Sequence, residues 1–228
     1  MIRKTMCIWL EVIALLLVSV FPTAQPSVGR TDCEMKIPDS AEDICPVLIG
    51  QSLPKIVLRT SDNTPFDLNA ASAEKATILI FFRGGWCPYC NLHLGQLQSI
   101  ESELLQLGFQ IIAVSPDRPE LLKLNAQKRG FKYRLLSDSE MTAAISLGIV
   151  FQLDKATVTK YKSSYDIDLE ADSGQKHHLL PVPSVFIIGK DGVIEFSYVN
   201  PNYKVRIDPD VLLKAANAVK KQSAVSKP

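Results

Sequence analysis

The feature that most constrains the fold is an apolar stretch that leads into a Cys-x-x-Cys pair and then into a helical pattern of leucines. The stretch covers residues 76–82, and the cysteines are Cys87 and Cys90. A cysteine at the start of a helix lies beside unpaired backbone N–H groups and the positive end of the helix dipole, which favour thiolate over thiol. In such positions the thiol pKa falls from about 8.5 to about 3.5–7.5. Because the thiolate is the nucleophile, the pattern predicts sulfur redox chemistry.

The spacing predicts different roles for the two cysteines. A separation of three residues places both on one face of the first helical turn, and we expect Cys87 to face outward with Cys90 behind it. Cys87 would attack a disulfide or a peroxide, and Cys90 would then close an intramolecular disulfide that a thiol reductant reopens. Pro88 fits the first helical position, where its missing N–H is not needed.

Metal binding is the main alternative for a Cys-x-x-Cys pair. A structural zinc site needs a second pair of ligands at similar spacing, and the remaining cysteines and histidines do not repeat the pattern. Copper(I) suits thiolates and imidazole, so a copper-binding chaperone that combines the cysteine pair with His177 and His178 stays open as a second hypothesis. Adjacent histidines in a polar loop are more often solvated surface residues. No resident cofactor is expected.

Composition indicates one compact domain. The 228-residue chain is 46% hydrophobic and 21% charged, with a formal net charge of +1. That much apolar material is sufficient for a single core. A near-neutral charge gives no basic footprint for nucleic acid, so no nucleic-acid partner is expected.

The first 24 residues have the pattern of a secretory signal. A basic start precedes an apolar run from Cys7 to Phe21, interrupted by Glu11, and small residues follow near Ala24. The pattern predicts a periplasmic or secreted protein. The alternative is an uncleaved segment that anchors the domain to a membrane, although the run is short for a bilayer.

Removal of the signal would leave an even number of cysteines. In an oxidising compartment Cys33 and Cys45 can form a structural disulfide within the N-terminal extension, residues 25–46, apart from the reactive pair. We favour this pairing over the alternative that one of the two is an additional resolving cysteine.

Strand and helix patterns alternate from residue 47 to residue 222, which predicts an α/β domain followed by a short tail at 223–228. The helix after Pro88 has apolar residues at three- and four-residue steps and is expected to continue to Gly108. We expect Ser139 to cap a later helix and Asp208-Pro209 to open the last one. Strands are predicted at residues 54–58, 76–82, 109–114, 133–136, 184–188 and 193–199, and a further helix at 119–129.

Residues 152–181 fit no regular element. A segment of this length inside a compact domain is either functional or decorative, and we expect an inserted lid that packs on the domain. Its apolar anchors would be Tyr161, Tyr165, Ile167 and Leu169.

Several segments resemble a known family. Trp-Cys-Pro-Tyr-Cys at residues 86–90, followed later by Val182-Pro183 before a β-hairpin, is similar to the thioredoxin fold. Residues 81–90, 180–183 and 199–203 resemble the peroxiredoxin-like branch of the AhpC/TSA (alkyl hydroperoxide reductase and thiol-specific antioxidant) family, with similarity over about residues 47–219. The resemblance implies a thioredoxin-like fold with a central mixed β-sheet flanked by helices and the insertion placed before a cis-Pro183. The backbone at Val182 and Pro183 would then hold an extended substrate beside Cys87.

The resemblance also implies an activity. In peroxiredoxins the cysteine at the position of Cys87 attacks a hydroperoxide, and a thioredoxin-like reductant recycles it. This chain has Gly84 where peroxiredoxins place Thr or Ser, and it lacks their Arg near the position of Pro183. Arg83 either replaces that arginine or is a solvated loop residue, with the latter slightly favoured. A hydroperoxide and a disulfide therefore both remain candidate substrates.

Two aromatic residues flank the reactive cysteine in sequence. Trp86 and Tyr89 are expected to shape an apolar rim around Cys87, where they would support substrate binding.

Overall fold

The structure is a computed structural model that describes residues 36–131 and 133–225. Its strands are β1 (Val57–Arg59), β2 (Pro65–Asp67), β3 (Thr77–Phe81), β4 (Gln110–Ser115), β5 (Arg134–Ser137), β6 (Val150–Gln152), β7 (Leu179–Pro181), β8 (Ser184–Ile188) and β9 (Ile194–Val199). The main sheet has the order β2-β1-β5-β4-β3-β8-β9, and β6 pairs with β7 separately. Strands β3, β4 and β5 are parallel, whereas β8 and β9 are antiparallel to their neighbours. The predicted mixed sheet is therefore confirmed.

Helices cover both faces of this sheet. They are α1 (Leu68–Glu74), α2 (Pro88–Leu97), α3 (Glu101–Gln106), α4 (Pro119–Arg129), α5 (Thr142–Ser146), α6 (Lys155–Tyr165), α7 (Leu169–Ser173) and α8 (Pro209–Val225). Successive side chains of β3 point to opposite faces. Ile80 packs in one buried cluster with Leu94 of α2 and Leu212 of α8, and Phe81 packs in a second with Leu68 of α1. Burial on both sides explains why β3 is apolar at nearly every position.

The predicted long helix after Pro88 is divided in two. A 3-10 turn, Gln98–Ile100, separates α2 from α3. The hydroxyl of Tyr133 donates a hydrogen bond to the Leu94 carbonyl oxygen at 2.6 Å, and the Gln98 N–H donates to the Gly95 carbonyl instead. A side chain that occupies a helical carbonyl in this way interrupts the regular hydrogen-bond ladder.

The predicted capping role of Ser139 is wrong. The carboxylate of Asp138 instead accepts the N–H groups of Ala143 and Ala144 at 3.0 and 2.9 Å, at the start of α5. Burial raises the pKa of Asp138 to about 6. The cap lies four residues before the helix because Met141 adopts a positive φ of 59°, which turns the chain back over the carboxylate.

The expectation that residues 152–181 lack regular structure is also wrong. The segment contains α6 and α7, each capped by an aspartate: Asp154 accepts the Thr157 N–H at 2.8 Å and Asp168 accepts the Ala171 N–H at 3.1 Å. No residue of α6 is fully buried, and among the described residues only Val158 and Tyr161 of this helix pack against an apolar cluster, so its periodic signal in the sequence is weak.

The insertion nevertheless packs on the domain, as expected. Tyr161, Ile167 and Leu169 join a small apolar cluster that also contains Trp86. Tyr165, the fourth predicted anchor, is 56% exposed.

The peptide bond before Pro183 is trans, since the described residues contain no cis peptide bond. The predicted cis-proline is therefore wrong. Val182 donates its N–H to the Ile149 carbonyl at 2.7 Å, and the Pro183 carbonyl accepts the Asn200 N–H at 3.3 Å. These bonds keep the chain extended from β7 into β8, which a trans bond allows.

Within residues 36–131 and 133–225, no helix is long and apolar enough to span a bilayer.

Candidate active site

Cys87 lies at the junction that the sequence predicted. The loop from Phe82 to Gly85 leaves the carboxyl end of β3, and Cys87 is the N-cap residue of α2 with φ −81° and ψ 112°. Pro88 occupies the first helical position, as expected for a residue without an N–H. The sulfur of Cys87 is therefore placed where the helix favours negative charge.

Both sulfurs are buried. Cys87 is 1% exposed and Cys90 is 0% exposed, so the expected outward orientation of Cys87 is wrong. Both belong to the buried cluster between the sheet and α2, and Trp86 packs against that cluster. The sequence shows the spacing of the cysteines but not what the rest of the chain places over them.

The two thiols have opposite electrostatic surroundings. A hydrogen bond from Cys90, together with the positive charges of Arg83 and Arg206, lowers the pKa of Cys87 to about 6 against the opposing effect of burial. Burial raises the pKa of Cys90 well above its usual value, and the nearby Cys87 raises it again. These surroundings favour the thiolate at Cys87 and the thiol at Cys90.

Arg83 is buried and not solvated, contrary to the favoured sequence interpretation. It is 3% exposed, and its Nη2 donates to the Tyr161 hydroxyl at 2.6 Å. Its guanidinium carbon lies 5.2 Å from the ring centroid of Trp86, 5.8 Å from that of Tyr161 and 4.3 Å from that of Tyr203. We call these three rings the aromatic cage. Its Nε is buried without a hydrogen-bond partner among the described residues, so one donor remains available.

Arg206 is a second cation at the site, and the sequence did not identify it. Its Nη2 donates to the Cys90 Sγ at 3.3 Å, although 116 residues separate them in the chain. Burial, and to a lesser extent the positive charge of Arg206, lowers the pKa of His93 to about 4. The one available sequence signal was the position of Arg206 just after the family-like segment 199–203.

A buried carboxylate fixes the loop before Cys87. Asp117 accepts the Gly85 N–H at 2.7 Å and the Ser115 hydroxyl at 3.0 Å. Burial raises the pKa of Asp117 to about 6. Gly84 has φ 139°, and a Cβ there would lie 2.4 Å from the Trp86 Nε1, so the Thr or Ser of peroxiredoxins does not fit this loop.

The other residues that the sequence predicted to support substrate binding have different roles in the structure. Trp86 contacts Tyr161 edge to face, and the partly exposed Tyr89 contacts Tyr203 in the same way, each with 5.7 Å between ring centroids. Val182 is buried and its N–H is occupied by Ile149. The backbone edge expected to hold a substrate is thus already paired.

No observation favours the copper hypothesis. The His177 ring bonds the Ser139 carbonyl and the His178 ring bonds Glu170, each at 2.8 Å. Across the described part of the chain, no group of three or more His, Cys, Asp or Glu side chains is arranged to hold a metal ion. Cys45 is exposed, while Cys33 and the signal pattern lie outside the described residues, so the Cys33–Cys45 pairing stays a prediction.

Solved structures of peroxiredoxins share this architecture. A peroxidoxin named BcpB from Mycobacterium tuberculosis has a TM-score of 0.57 at 18% identity, covering 76% of this chain and 96% of its own. Reduced Prx3 from Vibrio vulnificus in complex with hydrogen peroxide has a TM-score of 0.61 at 18% identity, covering 75% of this chain and 99% of its own. These similarities establish a thioredoxin-like fold of the peroxiredoxin type.

The sequence comparisons define the family. The AhpC/TSA family model matches residues 49–197, so the chain belongs to the AhpC/TSA family. A putative peroxiredoxin bcp of Haemophilus influenzae is 26% identical over 104 residues, which is 46% of this chain and 66% of that protein. Peroxiredoxin Bcp of Escherichia coli is 25% identical over the same shares. The chain thus spans just under two thirds of the length of these relatives.

Proposed function

We propose that this chain is a thiol peroxidase, with Cys87 as the attacking and Cys90 as the resolving cysteine. The Cys87 thiolate attacks the terminal oxygen of a hydroperoxide and the O–O bond breaks. The other oxygen leaves as an alkoxide that takes a proton from solvent, and Cys87 becomes a sulfenic acid. The observation that supports this most strongly is the position of Cys87, a buried N-cap residue of α2 close enough to Arg83 and Arg206 for their charges to lower its pKa.

The second step closes a disulfide. The Cys90 sulfur bonds to the Cys87 sulfur and displaces the hydroxyl as water, and a dithiol reductant such as a thioredoxin-like protein later reduces the bond. The hydrogen bond from the Cys90 thiol to the Cys87 sulfur supports this step, because it requires the two sulfurs to be close already.

Arg83 is proposed to replace the arginine that peroxiredoxins have near the position of Pro183. Its positive charge lowers the pKa of Cys87, and its buried unpartnered Nε can donate to the departing oxygen. A preorganised donor of this kind is worth about 2.7–4 kcal/mol in other enzymes.

Exchange of protein disulfides is the second candidate, supported by the Cys-x-x-Cys spacing itself. Burial of Cys87 favours the peroxide, since a hydroperoxide is small whereas a folded protein disulfide reaches the sulfur only after the surrounding loop opens. Both candidates use the same thiolate.

Stopped-flow oxidation separates them. We expect hydrogen peroxide or an organic hydroperoxide to oxidise Cys87 at least about a hundredfold faster than free cysteine, and Cys87→Ser to abolish the reaction. Cys90→Ser should allow one oxidation and leave a sulfenic acid. Cys45→Ser tests the alternative of an additional resolving cysteine, because it would slow closure only in that case. If Cys87 reacts with peroxide no faster than free cysteine but reduces an insulin disulfide rapidly, exchange of protein disulfides becomes the better supported function.

We also propose that residues 1–24 direct export, so that the domain acts in the periplasm or outside the cell. The sequence pattern alone supports this. N-terminal sequencing after cell fractionation should give a periplasmic or secreted chain that begins near residue 25. An intact N-terminus in the membrane fraction would favour the anchor, and an intact cytosolic chain would contradict export.

A further inference from the structure

Arg206 is directed at the resolving sulfur. Its Nη2 donates to the Cys90 Sγ at 3.3 Å, while its Nη1 donates to the Val205 carbonyl at 3.1 Å and also to the Tyr203 carbonyl. Among the described residues Arg206 has no carboxylate partner within ion-pair distance. The charge of Arg206 is therefore available to the sulfur and is not neutralised by an acidic side chain.

The loop between β9 and α8 holds this arginine in place. The Asn200 side chain accepts the Asn202 N–H at 3.0 Å, and the Asn202 side chain accepts the Lys204 N–H at 3.1 Å. The Val205 N–H then donates to the Asn202 carbonyl at 2.9 Å. These consecutive turns orient the carbonyls that bind Arg206, so its guanidinium is fixed before any reaction occurs.

Cys90 is in a difficult position for its proposed chemistry. It is fully buried, and burial of an unpaired charge is costly. Yet its sulfur must become negative twice: when it attacks the Cys87 sulfenic acid, and when it leaves as a reductant opens the disulfide. The other group that donates to this sulfur from outside the pair is the Arg83 backbone N–H, at the longer distance of 3.5 Å.

We propose that Arg206 stabilises the charge that develops on the Cys90 sulfur during both closure and reopening of the disulfide, an inference that rests on the proposed peroxidase function. In closure, Cys90 gives up its proton, the S–S bond forms, the S–O bond breaks and the hydroxide leaves with that proton as water. In reopening, a dithiol reductant attacks the Cys87 sulfur and Cys90 leaves as a thiolate. The second thiol of the reductant then releases Cys87, and the reductant becomes a disulfide.

The test is Arg206→Gln, followed separately through the two steps after a pulse of hydrogen peroxide. Peroxide loss reports oxidation of Cys87, and disappearance of the sulfenic acid reports closure. We expect closure to slow tenfold or more while the first step changes less than threefold. Arg206→Lys keeps the positive charge but not the planar guanidinium group with its several N–H donors. This variant should retain part of the closure rate that Arg206→Gln loses.

Lys204→Gln is the matched control, because it removes a positive charge from the same loop without a contact to either sulfur. It should leave both rates unchanged. Equal closure rates in Arg206→Gln and wild type, or equal slowing in Lys204→Gln, would overturn the proposal. If the glutamine variant does not fold, the lysine variant provides the same comparison, and an unchanged closure rate there counts against a role for the guanidinium geometry.

Reduction of the preformed Cys87–Cys90 disulfide by dithiothreitol tests Arg206 without peroxide. Loss of a group that stabilises the departing Cys90 thiolate should slow opening of the disulfide about tenfold in Arg206→Gln. If wild type does not react with peroxide yet the variant is reduced more slowly, the proposed peroxidase function fails and the role of Arg206 stands. If peroxide reacts and the two disulfides open at the same rate, the role of Arg206 fails.

Discussion

Two arginines approach the cysteine pair, and the chain holds them in different ways. Arg83 is buried in the aromatic cage. The three rings of the cage come from the loop between β3 and α2, from the inserted helix α6 and from the loop after β9. Arg206 is partly exposed and bound by carbonyls of its own loop. The position of Arg83 therefore depends on long-range packing, and that of Arg206 on local turns. Both charges lower the pKa of Cys87. Arg83 is proposed to act further in the oxidation of Cys87, and Arg206 on the charge that develops at Cys90.

Removal of the Arg83 charge should have the largest effect. We expect Arg83→Gln to lower the rate constant for the first oxidation about a hundredfold, close to 2.7 kcal/mol, because the donor and the charge are both lost. Stopped-flow kinetics measures it. Arg134→Gln is the control, since Arg134 also lies over a ring, that of Phe66, but is not among the charges that shift the pKa of either cysteine. A loss below threefold would remove the distinction between the two arginines.

A serine at position 84, where peroxiredoxins have Thr or Ser, should destabilise the loop that contains Arg83. Gly84→Ser is expected to lower the free energy of unfolding by about 2 kcal/mol, from backbone strain and the collision with Trp86. Denaturant unfolding measures it. Gly174→Ser is the control, with a positive φ of 73° but nothing within 4 Å of a Cβ, and should cost less. Equal losses would show that the collision contributes nothing.

The pH dependence of Cys87 reactivity is the next effect in size. With a pKa of about 6, alkylation by iodoacetamide should rise about tenfold between pH 5 and pH 7 and then level off, because the thiolate is the reacting form. The depressed pKa also stabilises the folded state at high pH, and that contribution is lost as the pH falls through about 6. Arg83→Gln should move the midpoint upward. A wild-type midpoint above pH 8 would contradict the site as described.

The smallest predicted effect concerns the inserted helix. Tyr161→Phe removes the hydroxyl that accepts from Arg83 but keeps the ring, so we expect a loss of about 1 kcal/mol, roughly fivefold in the first oxidation rate. Tyr165→Phe on the same helix is the control, because that residue is largely exposed. An unchanged rate in Tyr161→Phe would mean that the cage holds Arg83 through its rings alone.

The sequence by itself determined the elements that depend on local pattern. Fifteen residues of chain contain the strand β3, the Cys-x-x-Cys pair and Pro88 at the first helical position. A segment of similar length contains α4 and Gly130, the residue that ends it. The fold class followed because alternating apolar strands and helices have few ways to bury their faces. Periodicity missed α6, since none of its residues is fully buried.

Tertiary structure decided which side chains meet at the sulfurs. Burial of Cys87, the cage around Arg83 and the contact of Arg206 with Cys90 join residues that are far apart in the chain, 116 positions for Arg206 and Cys90. The trans bond at Pro183 and the paired edge at Val182 likewise depend on neighbouring strands. A thiolate pKa reflects every charge and surface within a few ångströms of the sulfur, whatever its place in the chain, so a local pattern identifies the nucleophile but not the groups that tune it.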